Sequence, residues 1–383
     1  MKTFSRTLVT GLAVLAMICP AFAKDKTMAE SAEPAKKPLV QLAVLLDTSG
    51  SMDGLIDQAK SQLWKIVNEF LKARQDGQTP EVQVALYEYG KSSLSPQSGW
   101  IRRIQPLTTD LDKLSEDLFA LKTNGGDEYC GWVIKDAVNE LAWSDDPKVY
   151  RAILIAGNEP FTQGPVNYAD ACKAAIAKGI IVNTIHCGSE AEGINGKWQD
   201  GALLADGKYL VIDQNRAVVH IEAPQDQELA RLSADLNKTY LAYGDAGRAA
   251  AQRQAAQDAN AATLAPSSGA VVQRALTKAS VNYFNGNWDL VDATKDSNFK
   301  LEAVKTADLP AEMQQLSPAE RQEYVQKKAG ERSGLQAKIQ TLNAEREKYL
   351  AAQMKQQAAT NTLDAVVIAA VREQAAKRDF RFE

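Results

Sequence analysis

"LVQLAVLLDTSGSM", residues 39–52, is the segment that indicates the fold class most directly. It is largely apolar as far as Asp47, and a turn that contains Ser49, Gly50 and Ser51 follows. A short apolar run that ends in turn residues predicts a buried β-strand. We therefore expect Asp47 to lie at the carboxyl end of a strand in the interior of a sheet.

Strand-like and helix-like segments alternate on the C-terminal side of this stretch. Further apolar, β-rich runs are "VQVALYEYG", "YRAILIAG", "IIVNTIHCG" and "GKYLVID". Amphipathic patterns predict helices at about 55–73, 110–122, 131–142 and 167–178. This alternation predicts an α/β fold with a doubly wound, mainly parallel sheet flanked by helices. Ligands of such sheets bind outside the carboxyl ends of the strands, which is the edge predicted for Asp47.

The N-terminus has the pattern of a secretory signal. Lys2 and Arg6 precede an apolar stretch at 8–18, and small residues lead to a cleavage site after Ala23. The apolar stretch is too short to span a bilayer. We therefore expect residues 1–23 to be a cleaved signal peptide and the mature protein to be periplasmic or secreted.

The remaining chain divides by composition into three parts. Residues 24–37 are polar and rich in proline and alanine, which is typical of a linker. We place the α/β domain at 38–245 and an α-helical extension at 246–383. From residue 317 a capping box and an apolar stripe predict a helical hairpin or coiled coil, through which the chain could oligomerise. The stripe consists of Leu335, Ile339, Leu342 and Tyr349.

Composition argues against one class of partner. The 383 residues carry a formal net charge of −4, and the pI is about 5.5. A protein that binds nucleic acid usually presents a basic surface, so we expect no nucleic acid partner.

The loop after the first strand offers oxygen ligands for a hard cation. Asp47, Ser49 and Ser51 supply a carboxylate and two hydroxyls, and Gly50 permits the sharp turn. Magnesium prefers such ligands and retains water in its remaining positions. An alternative is that Ser49 or Ser51 only caps the helix that follows.

These motifs resemble those of a von Willebrand factor type A domain. "VLLDTSGSM" matches the first motif of that family's metal-ion-dependent adhesion site, and the similarity extends to about residue 245. The resemblance implies a cation held by three loops, with a threonine in the second loop and an aspartate in the third. The cation usually completes its coordination with an acidic side chain of a partner protein.

The second and third loops depart from the family pattern. The second, "TNGGDEYCG", carries Asp127 and Glu128 near the usual threonine, and the third, "IAGNEP", has Gly157 in place of the aspartate. One hypothesis is that Asp127 or Glu128 replaces the missing carboxylate, so that Mg²⁺, or else Mn²⁺ or Ca²⁺, is still bound. Asn158 and Glu159 are predicted to support the site.

The resulting prediction is an exported protein-binding module and not an enzyme. The two histidines, His186 and His220, match no catalytic pattern. Two alternatives stay open. One is a metal-dependent hydrolase, and the other is a structural scaffold with a vestigial site, in which Asp47 is bonded to loop amides.

Export would leave three cysteines in an oxidising compartment. Loss of Cys19 with the signal leaves Cys130, Cys172 and Cys187, and we expect a disulfide. Cys130–Cys187 is the preferred pair, with Cys172–Cys187 as the alternative. A zinc site formed by the cysteines and His186 is a weaker hypothesis, because paired C-x-x-C spacing is missing.

Overall fold

The computed structural model describes residues 37–212, 221–264, 269–354 and 363–382. The predicted signal peptide, the predicted linker as far as residue 36, and His220 lie outside these ranges.

The strands form one large sheet and one small one. In the described ranges they are β1 (Leu39–Asp47), β2 (Ala73–Arg74), β3 (Glu81–Tyr89), β4 (Ile101–Thr108), β5 (Tyr150–Gly157), β6 (Ile181–Cys187), β7 (Tyr209–Ile212) and β8 (Arg381–Phe382). The large sheet has the order β4-β3-β1-β5-β6-β7, and β2 pairs with β8. Only β4 runs antiparallel to its neighbour in the large sheet. This is the doubly wound strand order of the Rossmann type, with β1 in the interior.

Helices cover both faces of the sheet and form the C-terminal extension. In the described ranges they are α1 (Asp53–Glu69), α2 (Leu111–Ala120), α3 (Cys130–Glu140), α4 (Tyr168–Ala177), α5 (Glu190–Asn195), α6 (Trp198–Leu203), α7 (Asp226–Asn237), α8 (Gly244–Thr263), α9 (Ala270–Lys278), α10 (Leu290–Ala293), α11 (Pro318–Met354) and α12 (Leu363–Ala376). None of these helices is both long enough and apolar enough to cross a bilayer.

Alternation along β1 explains the two-layer core. Leu42 and Leu46 point to one face of the sheet, and Ala43 and Leu45 to the other, because successive strand side chains alternate. The first face packs against α1, α2 and α12, and the second against α3, α4 and α6. The predicted fold class is therefore confirmed.

The chain returns to this sheet at its C-terminus. Val367, Val371, Ala375 and Phe380 are buried in the same core cluster as α1 and α2. Gln374 accepts a hydrogen bond of 2.8 Å from the Tyr150 hydroxyl and donates one of 2.7 Å to Asn183. The last described residues are thus part of the α/β core, although the sequence places them in a separate extension.

Buried ion pairs fix the start of the helical extension to the α/β domain. Arg274 of α9 lies 2.6 Å from Asp112 of α2 and also pairs with Asp258 of α8. Lys278 is fully buried and lies 2.9 Å from Asp258. Such pairs require complete compensation when they are taken out of water, so they hold α2, α8 and α9 in one arrangement.

The predicted capping box at the start of α11 is confirmed. The Ser317 amide donates to Glu320 over 2.8 Å, and the Glu320 amide donates to the Ser317 hydroxyl over 3.4 Å. Within the described part of the chain, Leu335, Ile339 and Leu342 pack against apolar residues of α7 and α9. Most of the predicted stripe is therefore used within the chain, and oligomerisation through it stays a prediction.

Candidate functional site

Asp47 lies where the sequence places it, at the carboxyl end of the interior strand β1, beside Tyr89 of β3. Its side chain is fully buried. One carboxylate oxygen, Oδ1, accepts a 2.7 Å hydrogen bond from the Ser49 amide. The other, Oδ2, has no hydrogen-bond partner within the described part of the chain. A buried carboxylate oxygen without a partner is costly and indicates a missing ligand or a proton.

The two serines lie together beside Asp47. Their hydroxyl oxygens are 3.4 Å apart, and the Asn158 amide nitrogen is 3.3 Å from the Ser51 hydroxyl. Helix α1 begins with Met52 as its N-cap, so neither serine occupies that position. Neither serine is therefore the N-cap residue of α1, and both hydroxyl oxygens lie at the Asp47 edge.

The second loop brings one of its two acids to Asp47. The Asn124 amide donates to the Thr48 carbonyl over 2.9 Å, which holds the two loops together. A Cβ added at Gly90 would lie 2.7 Å from Glu128 Cγ and 2.8 Å from Asp47 Oδ1, so both acids border the same small space. Asp127 is exposed and lies 3.3 Å from the Tyr129 hydroxyl. Of the two candidates, the structure thus brings Glu128 to the site and leaves Asp127 at the surface.

Tyr89 explains why the third loop has no aspartate. A Cβ at Gly157 would lie 2.5 Å from the Tyr89 hydroxyl, which is closer than real contacts allow. That hydroxyl donates a 2.9 Å hydrogen bond to the Ala156 carbonyl and is therefore fixed in place. Tyr89 was not predicted as a site residue. Its position at the end of β3, next in the sheet to Asp47, is the only signal in the sequence.

Burial and neighbouring negative charge raise the pKa of the two carboxyl groups. Burial raises the pKa of Asp47 to about 7, and the charge of half-buried Glu159 adds to this rise, while hydrogen bonds from Ser49 oppose it. Burial also raises the pKa of Glu128 to about 8, with further contributions from Asp47 and Glu159. At neutral pH the pair therefore favours either a retained proton or a cation.

The oxygen ligands at this edge fit a magnesium-like cation and not zinc. Across the described ranges, no group of three or more histidine, cysteine or acidic residues is placed to hold a metal. A cation here would instead be held by the carboxylates of Asp47 and Glu128, the hydroxyls of Ser49 and Ser51, and water. One or two carboxylates with retained water is the usual environment of Mg²⁺.

The predicted disulfide is wrong. Cys130, Cys172 and Cys187 are all buried and free. Cys130 and Cys172 pack on one face of the sheet, whereas Cys187, at the end of β6, packs on the other. The sheet therefore separates Cys187 from both predicted partners, and the same separation removes the zinc alternative.

A residue of α6 forms a hydrogen bond with the third loop. Trp198 is fully buried, and its indole N–H donates a 2.8 Å hydrogen bond to the Glu159 carbonyl. The ring of His186 lies 5.6 Å from that of Trp198, and its two nitrogens have no partner in the described residues. His186 is thus a buried side chain that packs against Trp198. Burial lowers its pKa.

The doubly wound sheet, with a D-x-S-x-S loop at its carboxyl edge, is similar to the fold of a von Willebrand factor type A domain, in line with the resemblance in the sequence. No family model matches the chain. YwmC, an uncharacterized protein of Bacillus subtilis, is 28% identical over 242 residues, which cover 60% of this chain and 99% of the relative.

Solved structures align with less than half of the chain. BatB from Bacteroides thetaiotaomicron is 19% identical with a TM-score of 0.35, covering 45% of this chain and 90% of BatB. The VWA domain of SpRpn10 is 17% identical with a TM-score of 0.35, covering 45% and 88%. The vWF domain of the pilus tip protein Mfa5 from Porphyromonas gingivalis is 14% identical with a TM-score of 0.34, covering 46% and 91%.

Proposed function

We propose that this chain is a protein-binding module that holds a divalent cation at the Asp47 edge of the sheet. The cation supplies a positive charge at the surface, to which an acidic side chain of a partner protein binds. This function follows from the resemblance to von Willebrand factor type A domains and is supported by the geometry of the edge.

The pairing of Asp47 with Glu128 is the observation that carries the proposal. Both side chains are buried, with exposed fractions of 0% and 6%, and Oδ2 of Asp47 has no partner among the described residues. Two adjacent buried carboxylates repel each other unless a positive charge or a proton lies between them. Ser49 and Ser51 add neutral oxygen ligands at the same place.

Calorimetric titration of the full chain with Mg²⁺, Mn²⁺ and Ca²⁺, after treatment with a chelator, tests the cation site. We expect saturable binding in the wild type and none in Asp47→Ala. Glu128→Gln should bind at least about ten-fold more weakly, because a ligand carboxylate is lost. Asp127→Asn is the matched control, since it neutralises the neighbouring exposed acid, and it should bind within about two-fold of the wild type. Flat traces for both the wild type and Asp47→Ala would refute the cation site.

Partner binding is tested separately. We expect a protein from an envelope extract to be retained by the wild type, released by chelator, and not retained by Asp47→Ala. Retention that is unchanged by chelator and by Asp47→Ala would show that the partner binds elsewhere.

One observation favours a scaffold with a vestigial cation site as the second candidate. Tyr89 fills the space of the third-loop acid, and a proton shared between Asp47 and Glu128 would satisfy the pair without a cation. The titration above separates the two, because the scaffold predicts no binding of any of the three ions. The hydrolase alternative stays a prediction that a phosphatase and esterase screen with added Mg²⁺ or Mn²⁺ would test.

We further propose that the protein acts outside the cytoplasm. The support is the predicted signal peptide at 1–23. Fractionation of cells by osmotic shock, with N-terminal sequencing of the released chain, should give a mature protein that begins at Lys24. A chain that remains in the cytoplasm with residues 1–23 intact would contradict this.

A further inference from the structure

A buried arginine lies at the opposite edge of the sheet. Arg151 is the second residue of β5 and therefore lies at the amino end of the parallel strands, far from the Asp47 edge. Its side chain belongs to the buried class, with 7% of the residue exposed. The guanidinium donates from Nη1 to the Ser144 carbonyl, whereas Nε has no partner among the described residues.

A second arginine faces the first across a glycine turn. A Cβ built at Gly179, between α4 and β6, would lie 2.9 Å from Nη2 of Arg151 and 3.8 Å from Nη2 of Arg378. The two guanidinium groups therefore both lie against Gly179, and a side chain at this position would meet Arg151. Gly179 has a φ of +69°, a conformation that glycine adopts without strain.

Hydrogen bonds hold the backbone of Arg378 in place. The side chain of Gln75 donates hydrogen bonds of 2.6 Å to the Arg378 carbonyl and 3.0 Å to the Lys148 carbonyl. The Arg378 guanidinium itself donates from Nη1 to the Pro147 carbonyl over 3.3 Å. The 144–147 loop thus receives a hydrogen bond from each arginine and fixes the distance between them.

The surroundings of Arg151 disfavour its positive charge. In the described part of the chain, neither Arg151 nor Arg378 has a carboxylate within ion-pair distance. Burial lowers the pKa of Arg151, and the Arg378 charge lowers it further, while the charges of Asp145 and Asp146 oppose this. A buried guanidinium with an unsatisfied N–H and a like-charged neighbour is costly unless an anion bridges them.

We propose that Arg151 and Arg378 together bind a small oxyanion, a phosphate or sulfate group, at the Gly179 turn. The guanidinium group is the side chain best matched to such groups, because its planar N–H donors form paired, charge-assisted hydrogen bonds with two oxygens. An anion between the two arginines would satisfy Nε of Arg151 and cancel the repulsion. The phosphate group could be free or part of a larger molecule, since both present the same oxygens.

Titration of the full chain with inorganic phosphate, sulfate, glycerol phosphate and acetate tests the proposal. Calorimetry at constant ionic strength, with chloride as the balancing anion, separates specific binding from screening. We expect saturable binding of phosphate and sulfate, and no saturable binding of acetate. Binding of glycerol phosphate as tight as that of inorganic phosphate would assign the site to phosphate monoesters, and rejection of glycerol phosphate would assign it to the free ions.

Two substitutions of neighbouring basic residues distinguish loss of the phosphate site from a general effect on charge or folding. Arg378→Gln should weaken phosphate binding by at least about ten-fold, because one of the two guanidinium groups is lost. Lys377→Gln removes the same charge from the neighbouring exposed position and should leave the affinity within about two-fold. Phosphate heats that match those of chloride would overturn the proposal, as would an equal loss of affinity in both variants. Asp47→Ala should bind phosphate with the affinity of the wild type. The test of the phosphate site is therefore independent of the test of the cation site.

Discussion

Replacement of Glu128 by glutamine should stabilise the cation-free protein, although it removes a side chain that would hold the cation. Glutamine has nearly the same shape as glutamate and mimics its protonated form. Burial and the charges of Asp47 and Glu159 raise the pKa of Glu128 from 4.5 to about 8. Ionised Glu128 therefore opposes folding, and Glu128→Gln removes that opposition.

The size of the effect follows from the raised pKa. Each unit corresponds to about 1.4 kcal/mol, which gives about 5 kcal/mol as an upper limit for Glu128 at alkaline pH. Because Glu128 lies in a loop beside exposed residues, relaxation and solvent screening should reduce this to about 2 kcal/mol. Below about pH 4.5 the carboxyl is protonated in both the folded and the unfolded chain, and the variant should then match the wild type. The advantage of the variant should grow as the pH rises from 4.5 to about 8 and then level off.

Urea unfolding between pH 5 and pH 9, with chelator present, measures this difference in the free energy of unfolding. Asp127→Asn is the control and should differ from the wild type by less than about 0.5 kcal/mol. Added Mg²⁺ should reverse the order, since the cation stabilises only a folded chain that binds it. A Glu128→Gln protein that is less stable than the wild type at pH 8 without cation would refute the reasoning, as would a difference that does not vary with pH.

Three further outcomes are expected. Because burial lowers the pKa of His186, this residue contributes stability that is lost as the pH falls below its ordinary pKa of 6.5. In thermal melts, His186→Leu should therefore gain stability relative to the wild type as the pH falls from 6.5, and a difference that does not vary with pH would contradict this. Arg332→Met should lower the free energy of unfolding, measured with urea, by about 3–5 kcal/mol. The reason is that the fully buried Asp289, 2.7 Å from Arg332, loses its positively charged partner. A loss below about 1 kcal/mol would contradict this. Gly157→Asp should lower the free energy of unfolding by about 1–3 kcal/mol, because the new side chain meets the Tyr89 hydroxyl. It should not raise the affinity for Mg²⁺. Tighter Mg²⁺ binding in calorimetry would contradict this, because it would show that Tyr89 moves to admit the new side chain.

The sheet and the position of Asp47 could be predicted because they depend on local patterns. An apolar run that ends at an acid indicates a buried strand and its end, and alternation with helices indicates parallel pairing. The capping box at Ser317 is equally local. Each of these features is determined by residues within a few positions of one another.

The errors concern contacts between distant segments. The choice between Asp127 and Glu128 depends on which way the second loop turns, and the sequence does not specify that direction. The disulfide prediction placed Cys130 and Cys187 at one edge of the sheet but could not tell that they pack on opposite faces. The role of Tyr89 depends on its hydroxyl reaching across to Gly157 from another strand.

Because α12 and β8 follow every strand of the large sheet in the sequence, part of the face that they cover stays exposed until residues 363–382 have been synthesised. Val367, Val371 and Phe380 are 1–2% exposed in the finished fold, and burial of each such side chain contributes about 1.5–3 kcal/mol. The earlier strands therefore lack several kcal/mol of their stability until residues 363–382 pack on the sheet. The nascent chain should remain loosely folded until then.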